Sequence, residues 1–429
     1  MRDIEINRDG NLVFGGADTV KLAEEFGTPL YVVDENYIVE RCREIKSAFM
    51  DKYPNAAAVY ASKALQTIDV CRIVTREGLG LDTVSGGEIY AALKAGADPQ
   101  KMVFHGNNKT KEEIKFALEN NIGRFVVDNL YELVLVNKIA GELGKTAAIQ
   151  IRITPGVDSH THKFISTGNI DSKFGISLKK EDRNEVIQYA LDAENIDLKG
   201  FHFHVGSQLM DNEAHLMAMD IILGLVKDVR EELGFVTKEL NLGGGFGVRY
   251  VDGEETVRLE DFTDGMMEKI NRFCKENGFE LPMVYIEPGR WIVGNAGITL
   301  YTVGSIKTIP DIKTYVAVDG GMPDNPRPIL YQAEYEAVVA NKAGSKADKT
   351  VSVVGKCCES GDVLIEKTQL AEDIESGDVL CVFTTGAYNY SMASNYNRIP
   401  RPAMVMLKDG NARLSVRRET WEDLIIREI

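Results

Sequence analysis

From about residue 29 to residue 290 the sequence alternates short β-branched runs with longer amphipathic stretches, and this alternation constrains the fold more than any other feature. After a leading run at Pro29–Asp34, strands are predicted at 58–64, 79–85, 102–106, 124–129, 147–154, 198–206, 238–245 and 284–290. Helical periodicity fills most of the gaps, as at 110–121 and 130–143. Strands that alternate with helices pair in parallel. Eight of them over this length fit an α/β fold, a TIM-like (β/α)8 barrel. A doubly wound open sheet has the same periodicity and stands as the alternative.

Beyond residue 290 the helical period fades. Short β-rich runs at 298–309, 314–318, 350–354 and 379–383 take over, punctuated by Pro and Gly. This predicts a barrel over residues 31–290, a mostly β domain over 291–429, and a segment 1–30 whose strand-like piece 12–14 joins that β domain. Two domains also suit a chain of 429 residues, since single cores seldom grow so large. The net charge of −16 argues against nucleic acid or an anionic membrane as partner. The leading MRDIEINRDGNLVFGG has no apolar core of signal-peptide length, and no later run is long enough to span a membrane. A cytoplasmic protein is expected. The six cysteines, at 42, 71, 274, 357, 358 and 381, form no Cys-x-x-Cys pair, so no zinc cluster is expected.

Polar and glycine-rich clusters fall at the C-terminal ends of the barrel strands, the face where such barrels place their active sites. Lys63 closes the first strand; half-buried there, its charge would be disfavoured and its amine readied for imine formation. A lysine that snorkels to solvent is the commoner outcome for such a pentapeptide. His202 and His204 lie two apart on a strand and share a side. They could bind metal, move protons or stack on a flat ring; a third metal ligand at recognisable spacing is missing, so no metal is expected. Gly243, Gly244 and Gly245 follow strand seven and would let backbone N–H groups approach an anion. Strand eight ends in Glu287-Pro288-Gly289-Arg290, where a carboxylate beside a basic ring nitrogen would keep it protonated; a surface Glu–Arg pair is the plainer alternative. Arg327, Tyr331, Cys358, Glu359 and Tyr388 stand in loop contexts of the second domain. Each singly reads as structural.

Together the motifs are more specific. YASKA at 60–64, HGNNK at 105–109, PGVDSHTHKFISTG at 155–168 and DSKFG at 171–175 come first. HFHVGSQ at 202–208, GGGFG at 243–247 and EPGR at 287–290 follow, then RPILY at 327–331, CESGD at 358–362, GAYNYSMASNYN at 386–397 and RP at 401–402. In this set the chain resembles the diaminopimelate decarboxylases, in the barrel-type class of pyridoxal-phosphate enzymes that also holds ornithine decarboxylase and alanine racemase. HGNNK, the HTH segment and CES mark the diaminopimelate branch, and the others mark the wider class.

The resemblance implies pyridoxal 5′-phosphate carried by Lys63 as a Schiff base, with the His204 imidazole stacked on its ring. It implies phosphate contacts from Ser207, the loop Gly243–Gly245 and the backbone of Glu287, Pro288, Gly289 and Arg290, with Tyr388 assisting. Glu287 matches the carboxylate that keeps the ring nitrogen protonated. Arg290, Arg327 and Tyr331 match the clamp on the far carboxylate of meso-diaminopimelate, and Glu359 the partner of its far ammonium. Tyr388 also borders the substrate. Cys358 matches an acid donated by the neighbouring subunit, which implies a homodimer with shared active sites. His160 and His162 belong to a marker but receive no role. The alternatives are a related decarboxylase acting on ornithine, arginine, carboxynorspermidine or a carrier-bound amino acid, an amino-acid racemase, or a binding protein that kept the fold. Glu287 speaks against the racemase, which places an arginine at the ring nitrogen.

Overall fold

The helix starts use the capping residues written in the sequence. Thr67, Ser85, Thr110 and Asn129 each precede a helix and accept the backbone N–H three residues on. At Thr110 the Glu113 side chain returns the bond, completing a capping box. These caps place helices Ile68–Arg76, Gly86–Ala95, Lys111–Glu119 and Leu130–Glu142 after the first four barrel strands. Lys180–Asp192, Glu213–Leu233 and Leu259–Asn277 follow the next three.

The computed structural model describes residues 4–157 and 171–429. His160 and His162, with most of their motif, lie outside the described residues. The chain forms two units, each taken by itself: Arg41–Gly247 with Thr256–Trp291, and Met1–Glu40 with Val248–Glu255 and Ile292–Ile429.

The first unit is a closed barrel of eight parallel strands paired in chain order, which removes the open-sheet alternative. The strands are Ala56–Ala61, Gly80–Thr83, Met102–Phe104, Arg124–Val127, Ala147–Arg152, Ile196–His202, Glu239–Asn241 and Met283–Ile286. Val59, Val103 and Val126, from strands one, three and four, pack in one cluster with Tyr285 of strand eight. Strands this far apart in the order meet only through the interior, so the barrel is filled, not hollow. All eight strands stop two to four residues earlier than their periodicity predicts, because the polar residues closing each run turn into loops at the C-terminal rim.

The second unit is built on a nine-stranded sheet. Its main path runs Val363–Ala371, Ala347–Val354, Lys313–Val318, Gly297–Ile309, Leu30–Asp34, Ala403–Lys408 and Asn411–Val416. Val379–Val382 pairs with both Gly297–Ile309 and Ala337–Val339. Leu12–Phe14 forms a small sheet with Glu5–Ile6 and Ala17–Asp18, and Leu12 enters the main core with Leu30, Val32, Ile298, Leu300 and Val405.

The observed divisions differ from boundaries at 30 and 290. Leu30–Asp34 pairs with Gly297–Ile309 and Ala403–Lys408 and so belongs to the β unit. Residues 248–255 also join it, held by a bond from the Asp252 N–H to Glu336 and by the edge contact of Tyr250 with Tyr335. Local periodicity registers neither pairing.

Candidate active site

In the barrel unit the chain ends of four strands converge. The Ala61 N–H donates to Pro288 O at 3.1 Å, the Glu287 N–H to Gly243 O at 2.8 Å, and the Leu209 N–H to Gly245 O at 2.9 Å. A Cβ on Gly244 would lie 2.0 Å from Glu287 O, and one on Gly245 2.3 Å from Gly206 O. Only glycine permits this approach of backbone to backbone. Gly243 (φ 70) and Gly245 (φ 101) also need left-handed geometry.

Glu287 and Arg290 are both buried, which removes the surface-pair reading. Arg290 Nη2 donates to Ser207 Oγ at 3.0 Å. Glu287 faces three other groups. His105 Nε2 lies 2.8 Å from Oε1, Asn241 Nδ2 donates to Oε1 at 2.7 Å, and His202 Nε2 lies 3.3 Å from Oε2. Burial pushes the Glu287 carboxyl up, but His105 and His202 outweigh it and hold it well below the usual carboxylate range. Burial pushes His202 down to about 4 against the pull of Glu287, so the ring is neutral near pH 7. A carboxylate only accepts, so the facing Nε2 carries the proton. Asp82 stands behind this group, 3.7 Å from His105 Nε2, and burial raises its carboxyl. His105, His202 and Glu287 thus supply the third ligand-type group that spacing alone had not shown, within 4.8 Å of one another. His202 Nε2 and Asn241 Nδ2 hydrogen-bond the carboxylate, whereas His105 Nε2 is close to Oε1 but makes no hydrogen bond of its own among the described residues.

His204 lies just past the end of strand six. Burial first, then the charges of Lys63 and Arg152, hold it well below the ordinary histidine range. Its Nδ1 accepts the Gly244 N–H at 3.2 Å, so the neutral ring carries its proton on Nε2. The Gly243 N–H is likewise engaged, by Asn241 Oδ1 at 3.1 Å. These two glycine N–H groups shape the loop from within.

Lys63 is exposed rather than half-buried. The strand ends at Ala61, and a 3-10 turn over Ser62–Ala64 carries the lysine onto the rim. Its charge acts on Asp82, Glu88 and His204, which places it in the same cluster.

In the β unit Arg327 is buried. Its Nη1 donates to the Tyr335 hydroxyl at 2.7 Å, and its guanidinium sits 4.8 Å from the centre of the Tyr250 ring. Burial works against its charge, but the phenols of Tyr250, Tyr335 and Tyr388 raise its pKa above the usual arginine value. Tyr331 lies on the same short helix, Arg327–Tyr331. Cys358 and Glu359 are exposed, in a loop closed by Asp362, whose Oδ2 accepts the Cys357 N–H at 2.8 Å. The Cys358 N–H donates to Asn397 Oδ1 at 2.8 Å. Burial and the adjacent Asp362 push the Cys357 thiol up to about 12. All six cysteines are thiols.

The structure therefore gathers Lys63, His204, Ser207, Gly243–Gly245 and Glu287–Arg290 at the barrel rim. It adds Asp82, His105, His202 and Asn241, to which sequence reasoning gave no role at Glu287. His105 opens a branch-specific motif and Asn241 sits two residues before the glycines; those were the available signals.

Residues 35–294 match the pyridoxal-dependent decarboxylase family, pyridoxal binding domain. The diaminopimelate decarboxylase of Bacillus subtilis (strain 168) is 49% identical over 98% of this chain and 95% of its own length. That of Staphylococcus aureus (strain COL) is 44% identical, with 99% of both chains covered. The crystal structure of diaminopimelate decarboxylase from M. jannaschii superposes with a TM-score of 0.92 at 37% identity, covering 99% of this chain and 97% of that one, and the enzyme has also been solved with L-lysine. With this likeness spanning nearly the whole chain, barrel and β unit alike, the chain belongs to the pyridoxal-dependent decarboxylases, in their diaminopimelate decarboxylase branch.

Proposed function

We propose that this chain decarboxylates meso-2,6-diaminopimelate to L-lysine and carbon dioxide, the last step of lysine biosynthesis, with pyridoxal 5′-phosphate as cofactor. The observation that carries this reading is the buried, ionised Glu287 carboxylate clustered with Lys63 and neutral His204, in a chain 49% identical to a diaminopimelate decarboxylase. The residues fit the cofactor. Glu287 matches a ring nitrogen that must stay protonated, the rim amine of Lys63 an aldehyde, and the glycine cradle a phosphate.

When bound, the cofactor supplies an electron sink for the pair left as the carboxylate departs. Lys63 anchors it through its amine. Glu287 holds a proton at the ring nitrogen, and His204 offers an uncharged aromatic face. Ser207, the Gly245 N–H and the backbone of Gly289 and Arg290 take the phosphate, with Tyr388 assisting. Arg327, with Arg290 and Tyr331, orients the far carboxylate, for which a guanidinium is the suited partner. Glu359 receives the far ammonium. Orientation matters because only the bond held perpendicular to the conjugated plane breaks readily. Cys358 Sγ, exposed in its loop and so open to a second copy of the chain, delivers the proton to the reacting carbon of the partner's site; the working form is a homodimer. Among the described residues no helix is long and apolar enough to cross a membrane, and the enzyme works in the cytoplasm without a nucleic-acid partner.

The test is carbon dioxide release and amino-acid analysis with meso-diaminopimelate, L-ornithine, L-arginine and L-lysine offered separately. Only the first is turned over. Comparable kcat/KM on ornithine overturns the substrate assignment.

A further inference from the structure

The barrel interior holds a polar chain that the chemistry above does not use. Arg124 on strand four donates from Nε to both Glu239 carboxylate oxygens, at 2.8 and 3.0 Å. Strands four and seven are not neighbours, so the pair spans the interior. Gln150 Nε2 donates to Glu239 Oε2 at 2.8 Å. Asn241 Nδ2 donates to Gln150 Oε1 at 3.4 Å, the longest link, and to Glu287 Oε1 at 2.7 Å. Asn241 Oδ1 accepts the Gly243 N–H at 3.1 Å. Gln150 and Asn241 are wholly buried.

We infer that Asn241 is a positioning residue that holds the Glu287 carboxylate and the glycine loop in one frame, and that Arg124, Glu239 and Gln150 fix which way its amide faces. The inference rests on Glu287 being the partner of the cofactor ring nitrogen.

Donor and acceptor bookkeeping gives the chain a direction. A guanidinium only donates, so the Glu239 carboxylate accepts from it and then requires donors from its remaining neighbours. Gln150 must present its NH2 to Glu239, which turns its carbonyl toward Asn241. Asn241 must answer with its NH2, and the second hydrogen of that group goes to Glu287. On the opposite side a backbone N–H, which can only donate, fixes the Asn241 carbonyl. Turning the Asn241 amide over would set oxygen against the oxygens of Gln150 and Glu287 and nitrogen against the Gly243 N–H, forfeiting three bonds at a wholly buried position. Glu287 Oε1 therefore always meets a donor there, which favours its charged form and holds its orientation. The same amide ties that orientation to the first residue of the glycine loop.

Two substitutions separate this role from ordinary core packing. Asn241→Asp keeps the shape but replaces the donor with a second acceptor. Asn241→Ser removes the donor without adding charge and serves if the first does not fold. Each variant is combined with Glu287→Gln. Three quantities are measured: kcat and KM for meso-diaminopimelate, the Kd of apoprotein for pyridoxal 5′-phosphate, and the melting temperature of the apoprotein. In the parent background kcat is expected to fall on the order of tenfold to a hundredfold with KM little changed, and the cofactor Kd to rise in parallel. In the Glu287→Gln background the same substitution is expected to change both by less than about threefold, because its effect passes through Glu287. Gln150→Leu, one link back and not in contact with Glu287, gives a smaller loss with the same dependence. Equal losses in the two backgrounds, or a fall in melting temperature with kcat and cofactor Kd unchanged, overturn the inference alone. Full turnover in Glu287→Gln itself overturns the role of Glu287 in the reaction, and this inference with it.

Discussion

Lys109 and Glu132 form a buried ion pair whose side chains are 1% and 2% exposed, and the consequence of breaking it can be worked from its contacts. Lys109 Nζ donates to Glu132 Oε1 at 2.7 Å, Val126 O at 2.7 Å and Gly106 O at 2.9 Å, so all three ammonium protons are used. Burial lowers the lysine pKa and raises that of the glutamate, each against the attraction of the other. Lys109→Met leaves the carboxylate buried without its cation and two carbonyls without their donor. Removing one partner of such a pair costs about 3–5 kcal/mol. Glu132→Gln keeps a neutral acceptor and both carbonyl bonds, so about 1–2 kcal/mol is expected. The double variant Lys109→Met/Glu132→Met removes both charges and should be more stable than Lys109→Met alone, since a buried pair barely offsets its own desolvation. Urea unfolding followed by far-UV circular dichroism measures all three. A Lys109→Met protein within about 1 kcal/mol of the parent, or a double variant less stable than that single one, would show that solvent reaches the pair and refute the reasoning.

Lys63→Ala should abolish covalent cofactor attachment and turnover; borohydride reduction and peptide mapping of the parent check this, and a label on another lysine sinks the assignment. Arg327→Ala should raise KM for meso-diaminopimelate and lower kcat, since orientation is lost along with binding; unchanged steady-state kinetics would remove it from the site. Mixing the inactive Lys63→Ala and Cys358→Ala variants should restore activity, to at most about half of the parent per hybrid dimer by site counting. Failure to recover, with subunit exchange confirmed by mass, places Cys358 elsewhere. Acid should destabilise the fold, because His202 and His215 are buried with pKa values pushed down to about 4. Between the unfolded value near 6.5 and about 4 the unfolded chain binds more protons, so stability falls as pH drops, by up to about 3 kcal/mol for each group at pH 4. His215→Phe should make the dependence of the urea midpoint on pH shallower over that window, and an unchanged slope would refute the linkage.

Much of this protein is decided within short stretches of chain. Short β-branched runs, the helical period at 110–121 and 130–143, and a run of three glycines act over a few residues, so the order of the eight barrel strands could be read directly. The same holds for Glu287-Pro288-Gly289-Arg290 and Lys63, whose places at strand ends follow from local periodicity.

What only the tertiary structure decided are relations between residues far apart in sequence. Nothing near His105 announces that it meets Glu287, 182 positions later, or that Asn241 joins them. Which residues oppose one another across a barrel depends on closure and stagger of the whole sheet. Leu30–Asp34 has the composition of a barrel strand but pairs with Gly297–Ile309 and Ala403–Lys408, a choice made by distant partners. The sequence alone thus determined eight strands alternating with helices, with a lysine, a glycine loop and a carboxylate at their C-terminal ends, and closure into a barrel was decided by the tertiary pairing. Closure of that barrel decided that the carboxylate is buried among two imidazoles and an amide, because charge state and orientation depend on neighbours in space and not on neighbours in the chain.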